Sequence, residues 1–182
     1  MTNLSTLEEI AHLRYENARM LAPKKASVVP PADLGCVASV RITMAKEDSV
    51  PWDRARQITG PRDSYDLVSK FLDGEDRENV VVLGLNTKHC VVLIHRVAAG
   101  SVASCPARIA EILRAAIIAN CPAIIVAHNH PSGDPYPSTD DVVLTKRIVE
   151  AGDLLGIEVL DHVVIGDGQF VSMRERGMGF SR

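Results

Sequence analysis

Residues 123–127, Ala-Ile-Ile-Val-Ala, form a short unbroken apolar run that stops abruptly at His128-Asn129-His130-Pro131-Ser132-Gly133. A run of this kind predicts a strand covered on both faces, and such a strand belongs in the middle of a sheet with helices on either side. The flanking segments supply those layers. Asp63 can cap a helix through about Leu72 with Gly74 as its stop, and Asn79–Leu85 and Cys90–Val97 read as a hairpin turned by Asn86–His89. Ser104 with Pro106 opens an apolar helix to about Ala119, ended by Asn120 and Pro122 and expected to be buried on more than one side. Ser138 starts a helix to about Leu155 with Gly156 after it. Ile157–Ile165 makes the next strand, and an Asp167-Gly168 turn leads to a short strand over Gln169–Met173. Strands alternating with helices, together with hairpins, predict an α/β domain with a mixed sheet sandwiched by helices, spanning about residues 36–182.

Ahead of that domain the pattern changes. Ser5 and Glu8 stand at capping-box spacing before an amphipathic pattern through Leu21, and Pro23, Pro30 and Pro31 make residues 22–35 a linker. Residues 1–35 therefore read as a helical arm suited to self-association. From Cys36 to Met44 the apolar positions Val40, Ile42 and Met44 alternate with polar ones, a half-buried strand pattern. Residues 45–62 carry no decisive pattern.

Composition narrows the function classes. The 182 residues suffice for one domain that buries roughly two-thirds of its unfolded surface. No apolar stretch approaches membrane-spanning length and the first twenty residues lack a signal-peptide core, so a cytoplasmic protein is expected. The four cysteines, at 36, 90, 105 and 121, form no C-x-x-C pair, which argues against a disulfide framework or a thiolate zinc site. Net charge is −3, and residues 122–162 carry seven carboxylates against two bases, a net −5. Phosphate is not drawn to such a surface, so strong direct DNA binding is not expected.

The chemistry concentrates at the end of the apolar run. Histidines at i and i+2 of an extended chain point to one side and can meet one ion. The Pro-rich loop after them returns the next helix to the strand end, and Asp141 in its first turn lies where backbone N–H groups and the helix dipole favour a carboxylate. His128, His130 and Asp141 thus make a His, His, Asp donor set. Zinc suits this mix, one ion per chain, and three protein ligands leave a fourth position for water, the catalytic arrangement. The competing interpretation is a structural polar network.

The spacing of His128, His130, Ser138 and Asp141 resembles the JAMM signature of MPN-type metalloproteases. The wider string AHNHPSGDPYPSTDD, with LLGIEVLDHVVIGDGQFVSMRERG after it, is similar to the bacterial RadC branch of that family over about residues 60–177. The resemblance implies a layered, deaminase-like fold and a general-base glutamate, which falls on Glu78 at the opening of DRENVVVLGL. It implies that zinc-activated water cleaves a peptide or isopeptide bond in a protein or peptide substrate, with Ser138 donating to the oxyanion. The bland alternatives are a solvated acid at a strand entrance for Glu78 and an ordinary helix N-cap for Ser138. Ser132 is a candidate partner for one of the histidines. Glu111, Asp161 and His162 also fall in family-like stretches and read as structural.

Two labels fail. The adjacent letters HNH do not make the nuclease motif, whose residues are spread through a ββα unit, and a zinc nucleobase deaminase needs H-x-E and P-C-x-x-C, both absent. The rival from another class is a non-catalytic, metal-stabilised MPN-type scaffold in a DNA repair or replication complex. Longer RadC-like proteins carry an N-terminal helix-hairpin-helix module, where residues 1–35 here offer one helix and a linker.

Overall fold

The computed structural model describes residues 41–45, 57–100 and 107–180. The chain divides between Arg41 and Ile42, and every element below belongs to the second part. In chain order these are α1 (Pro61–Phe71), β1 (Asn79–Leu85), β2 (Val91–Ala99), α2 (Ile109–Ile118), β3 (Ala123–Asn129), α3 (Thr139–Leu155), β4 (Glu158–Ile165) and β5 (Phe170–Ser172). The expected helix at 5–21 and the linker at 22–35 lie outside the described residues.

One five-stranded sheet runs in the order β2-β1-β3-β4-β5. β1 is antiparallel to both β2 and β3, β3 is parallel to β4, and β4 is antiparallel to β5. The sheet is therefore mixed, with β3 at its centre. Alternation along the strands divides the core in two. Val81, Leu83, Leu85, Ile125 and Ala127 face Leu67, Val68 and Leu72 around α1. Val80, Val82, Ile124 and Val126 face Ile112, Leu113 and Ala116 of α2 and Ile148 of α3. Both faces of β1 are covered, which is why its sequence, Asn-Val-Val-Val-Leu-Gly-Leu, shows no polar alternation.

Three expectations need correction. Residues 41–45 form no strand, with Ile42 70% and Met44 52% exposed. Alternating apolar residues make a strand only where a sheet edge receives them, and among the described residues no strand pairs with 41–45. The first helix begins at Pro61, not at an Asp63 cap, because proline serves well at the first helical position. Asp63 instead turns back to accept from the Thr59 amide and hydroxyl at 2.8 and 2.6 Å. Finally, α2 starts at Ile109, Ser104 and Pro106 lie outside the described residues, and the helix buries one side only: Ile112, Leu113, Ala115 and Ala116 are buried while Ile117 is 49% exposed.

Candidate metal centre

β3 runs two residues past its apolar stretch, so His128 is still a sheet residue while His130 is the first residue of the following loop. The i, i+2 alternation sends both rings to the α3 side, where their Nε2 atoms lie 3.0 Å apart. The loop is pinned on all sides. The His130 amide donates to Ile165 O at 2.8 Å, Gly133 N donates to His130 O at 3.0 Å, and Asp167 N donates to Gly133 O at 2.8 Å. A Cβ at Gly166 would press within 2.7 Å of Pro135, so glycine there lets the proline-rich loop lie against the β4–β5 turn.

Asp141 arrives from α3. Ser138 is the N-cap, its Oγ accepting from the Asp141 amide at 3.2 Å, and Asp141 Oδ2 in return accepts from the Ser138 amide at 2.7 Å and hydroxyl at 2.6 Å. This reciprocal capping box fixes the carboxylate as well as the helix start. Asp141 Oδ1 then stands 3.3 Å from His128 Nε2, and Oδ2 stands 3.6 Å from His130 Nε2.

Taking one donor atom from each residue, the two ring nitrogens and a carboxylate oxygen all lie within 4.8 Å of one another, close enough to converge on one ion. His130 also has the right tautomer. Its Nδ1 lies 2.7 Å from Asp134 O, a carbonyl that only accepts, so the proton sits on Nδ1 and a neutral ring presents a bare Nε2. Among the described residues His128, His130 and Asp141 form a group that could hold a metal ion.

The two imidazoles themselves pair with the Asp141 carboxylate. Burial alone would raise the Asp141 pKa, but hydrogen bonds to His128, His130 and Ser138 and the His128 charge outweigh it, holding the carboxyl well below the usual carboxylate range. The His130 ring is pushed up chiefly by its hydrogen bond with Asp141. Burial opposes that shift, while the Asp134 carbonyl and the charges of Asp141 and Glu78 add to it.

Glu78 is half-buried and sits just before β1. Val80, two residues on, pairs with His128, and the Glu78 charge acts on the His130 ring. The Glu78 backbone is tied on both sides. Gly100 N donates to Glu78 O at 2.8 Å, while Asn79 Nδ2 and Asn129 Nδ2 both donate to Arg77 O, at 2.7 and 2.8 Å. Asn129 Oδ1 also accepts from the Asn79 amide at 2.8 Å. The asparagine between the two histidines thus points to the other face and clamps the segment that carries Glu78.

Sequence reasoning missed part of this shell. His162, read as structural, lies with its Nε2 2.8 Å from His128 Nδ1, and its Nδ1 is 2.6 Å from the buried Thr145 hydroxyl on α3. A histidine inside the apolar run of β4 was the available signal; nothing in the sequence marked Thr145. Burial first, and then the neighbouring His128 charge, push the His162 ring well below the ordinary imidazole range, so it is neutral. Ser132 does not partner a histidine. Its Oγ faces the Asp134 amide at 3.4 Å, and the His130 partner is the Asp134 carbonyl. Asp161 and Glu111 are structural: Asp161 accepts from the His162 and Arg174 amides, and Glu111 lies 3.9 Å from Arg114 on α2.

Fold and donor set together define a JAB/MPN-type α/β domain with a candidate metal centre, and a family model described as the RadC-like JAB domain matches residues 58–178. A UPF0758 protein of Roseiflexus castenholzii is 48% identical over 124 residues, covering 68% of this chain and 53% of that protein. Another, from Moorella thermoacetica, is 49% identical over 121 residues, 66% of this chain and 53% of the relative. A third, from Desulforamulus reducens, is 35% identical over 185 residues, covering 97% and 82%. The chain spans about half the length of the first two of these relatives and most of the third. It belongs to the RadC family.

Proposed function

We propose that this domain is a zinc-dependent metallohydrolase that cleaves peptide or isopeptide bonds in protein or peptide substrates. The observation that carries the proposal is the convergence of His128 Nε2, His130 Nε2 and the Asp141 carboxylate within one ion's reach, with the Glu78 charge close enough to act on the His130 ring. Two imidazoles and one carboxylate favour zinc over harder ions and leave a coordination position for water. Zinc, when bound, supplies Lewis acidity toward water and the scissile carbonyl.

The chain's own residues supply the rest. Glu78 takes a proton from the attacking water and delivers it to the leaving amine, a role supported by the reach of its charge to the His130 ring. Ser138 is the auxiliary. Its hydroxyl donates to Asp141 Oδ2 at 2.6 Å, so its first task is to hold the ligand, and donation to an oxyanion requires that hydroxyl to turn. A groove of about 500 Å³ lies on the α1 side of the sheet end, lined by Tyr65, Ser69, Asp73, His130, Pro131 and Asp167 among others; of the donor set only His130 borders it.

With a net charge of −3 over the whole chain we assign it no strong direct DNA binding, and we place it in the cytoplasm. No helix among the described residues is long and apolar enough to cross a membrane. Self-association through the 5–21 segment involves residues outside the described ones.

The test is hydrolysis of peptide and isopeptide-linked fluorogenic substrates by the zinc-loaded chain. Glu78→Gln is expected to keep zinc and fold while losing about 10²- to 10⁴-fold in rate. Full activity in Glu78→Gln sinks the mechanism. Zinc retained with no hydrolysis of any such substrate favours the non-catalytic scaffold.

A further inference from the structure

Thr145 has one hydroxyl proton and two strong neighbours. Its Oγ1 lies 2.6 Å from Asp141 O, one helical turn back, and 2.6 Å from His162 Nδ1. The carbonyl can only accept but already has the Thr145 amide within α3, so the hydroxyl can turn either way; a bare His128 Nε2 requires the direction in which the hydroxyl donates to Asp141 O and accepts from His162 Nδ1–H. A neutral imidazole has one N–H, which leaves His162 Nε2 as an acceptor. Its partner 2.8 Å away is His128 Nδ1, which must then donate. All of these groups are buried, with Thr145 at 0% and His128 and His162 at 1% exposure, so water cannot substitute for any link.

We propose that His162, backed by Thr145, is a positioning residue that locks His128 in its Nδ1–H tautomer and so presents a bare Nε2 to the metal. This rests on the zinc-site reading above. His130 has the same device by a different route, since the Asp134 carbonyl fixes its Nδ1–H. The two ligand histidines thus have separate orienting partners. One is a backbone carbonyl in the loop that follows β3, and the other is a buried side-chain relay from β4 to α3. Because Thr145 stands one turn after Asp141, the relay also ties the ring orientation of one ligand to the helix that carries another.

Thr145→Val keeps the shape but removes the acceptor for His162 Nδ1–H. The cheapest remedy is for His162 to move its proton to Nε2 and donate to His128 Nδ1, which forces the remaining His128 proton onto the ligand nitrogen. The variant therefore disfavours zinc without touching it. Thr145→Ser restores the hydroxyl. His162→Phe removes the relay while keeping a ring in the core, and His162→Gln keeps a polar atom near His128.

The experiment uses the full chain, with zinc affinity measured by competition against a chromophoric chelator and histidine tautomers read from long-range ¹H–¹⁵N spectra. In the zinc-loaded wild type, His128 and His162 are both expected as Nδ1–H tautomers. Thr145→Val and His162→Phe are expected to weaken zinc about 10- to 100-fold. Thr145→Ser is expected to stay within a few-fold of wild type, and metal-free Thr145→Val to show His162 as the Nε2–H tautomer. An Nε2–H His162 in zinc-loaded wild type overturns the relay, whether or not the variants fold. So does a folded Thr145→Val protein with wild-type affinity, while the zinc site stands. A wild-type chain that binds no zinc overturns both the relay and the zinc site.

Discussion

Asp141 serves two structures with one carboxylate: its Oδ2 completes the cap of α3 while its two oxygens face His128 and His130. The position was legible because the first turn of a helix after a constrained loop is where an ionised carboxylate is favoured. The histidine pair was legible because period-two geometry in a strand needs no knowledge of the fold. His162 and Thr145 were not, since they meet His128 only through the pairing of β3 with β4 and the packing of α3, contacts distant in sequence. At the same scale, Asp161 makes a measurable claim. Burial is the main cause that raises its pKa above the ordinary carboxyl value, against bonds from Ser172, Arg174 and His162. A raised folded-state pKa means the native chain holds that proton more tightly than the unfolded one. Its stabilising contribution is therefore present below the unfolded value and is lost as pH rises through the folded one. Asp161→Asn keeps an acceptor oxygen for the two amides without the ionisation, so urea unfolding of both proteins across the acid to neutral range should show wild type losing stability relative to Asp161→Asn as pH rises. A gap that is constant, or that moves the other way, contradicts this account.

Elements came through unevenly. α3 matched its expectation nearly residue for residue because its ends are chemically marked, by the Ser138 cap and by Gly156 in the left-handed conformation at φ 69°. α1 and α2 slipped at their starts, since Gly60 and Arg108 make no side-chain cap and leave no signal. Of the strand expected over 36–44 only residues 41–44 are described, and their alternation specifies a face without supplying a partner edge. Inside α3, Gly152 looks like a weak point by propensity, yet a Cβ there would lie 2.5 Å from Ile157 O and 2.9 Å from Val159 Cγ2. The helix comes that close to the start of β4, and backbone yields poorly. Gly152→Ala gains about 1 kcal/mol of helix propensity, but overpacking costs about 1–3 kcal/mol, so net destabilisation is expected as a lowered urea midpoint. An alanine variant as stable as wild type or more so would show that α3 can shift away from β4 freely.

For the whole molecule, the sheet order places the site. β3 at the centre brings β1 to one side and β4 to the other, so the ligand histidines, the Glu78 segment and the His162 relay meet at one end of the α3 face. Asn129 reaches through to clamp the Arg77–Asn79 segment from the opposite face, which binds the general-base candidate to the ligand strand. The layered architecture was readable from the sequence because β1 and β3 are too apolar to have a wet face; the crossing contacts that tune the centre were not. The central claim is that this arrangement is an open zinc site with a separate proton carrier. Elemental analysis of the purified chain, without added metal, tests it most directly when wild type is set beside His130→Ala and Glu78→Gln. The account predicts about one zinc per chain in wild type and in Glu78→Gln, and none in His130→Ala. Zinc absent from all three proteins, or retained in full by His130→Ala, would contradict it.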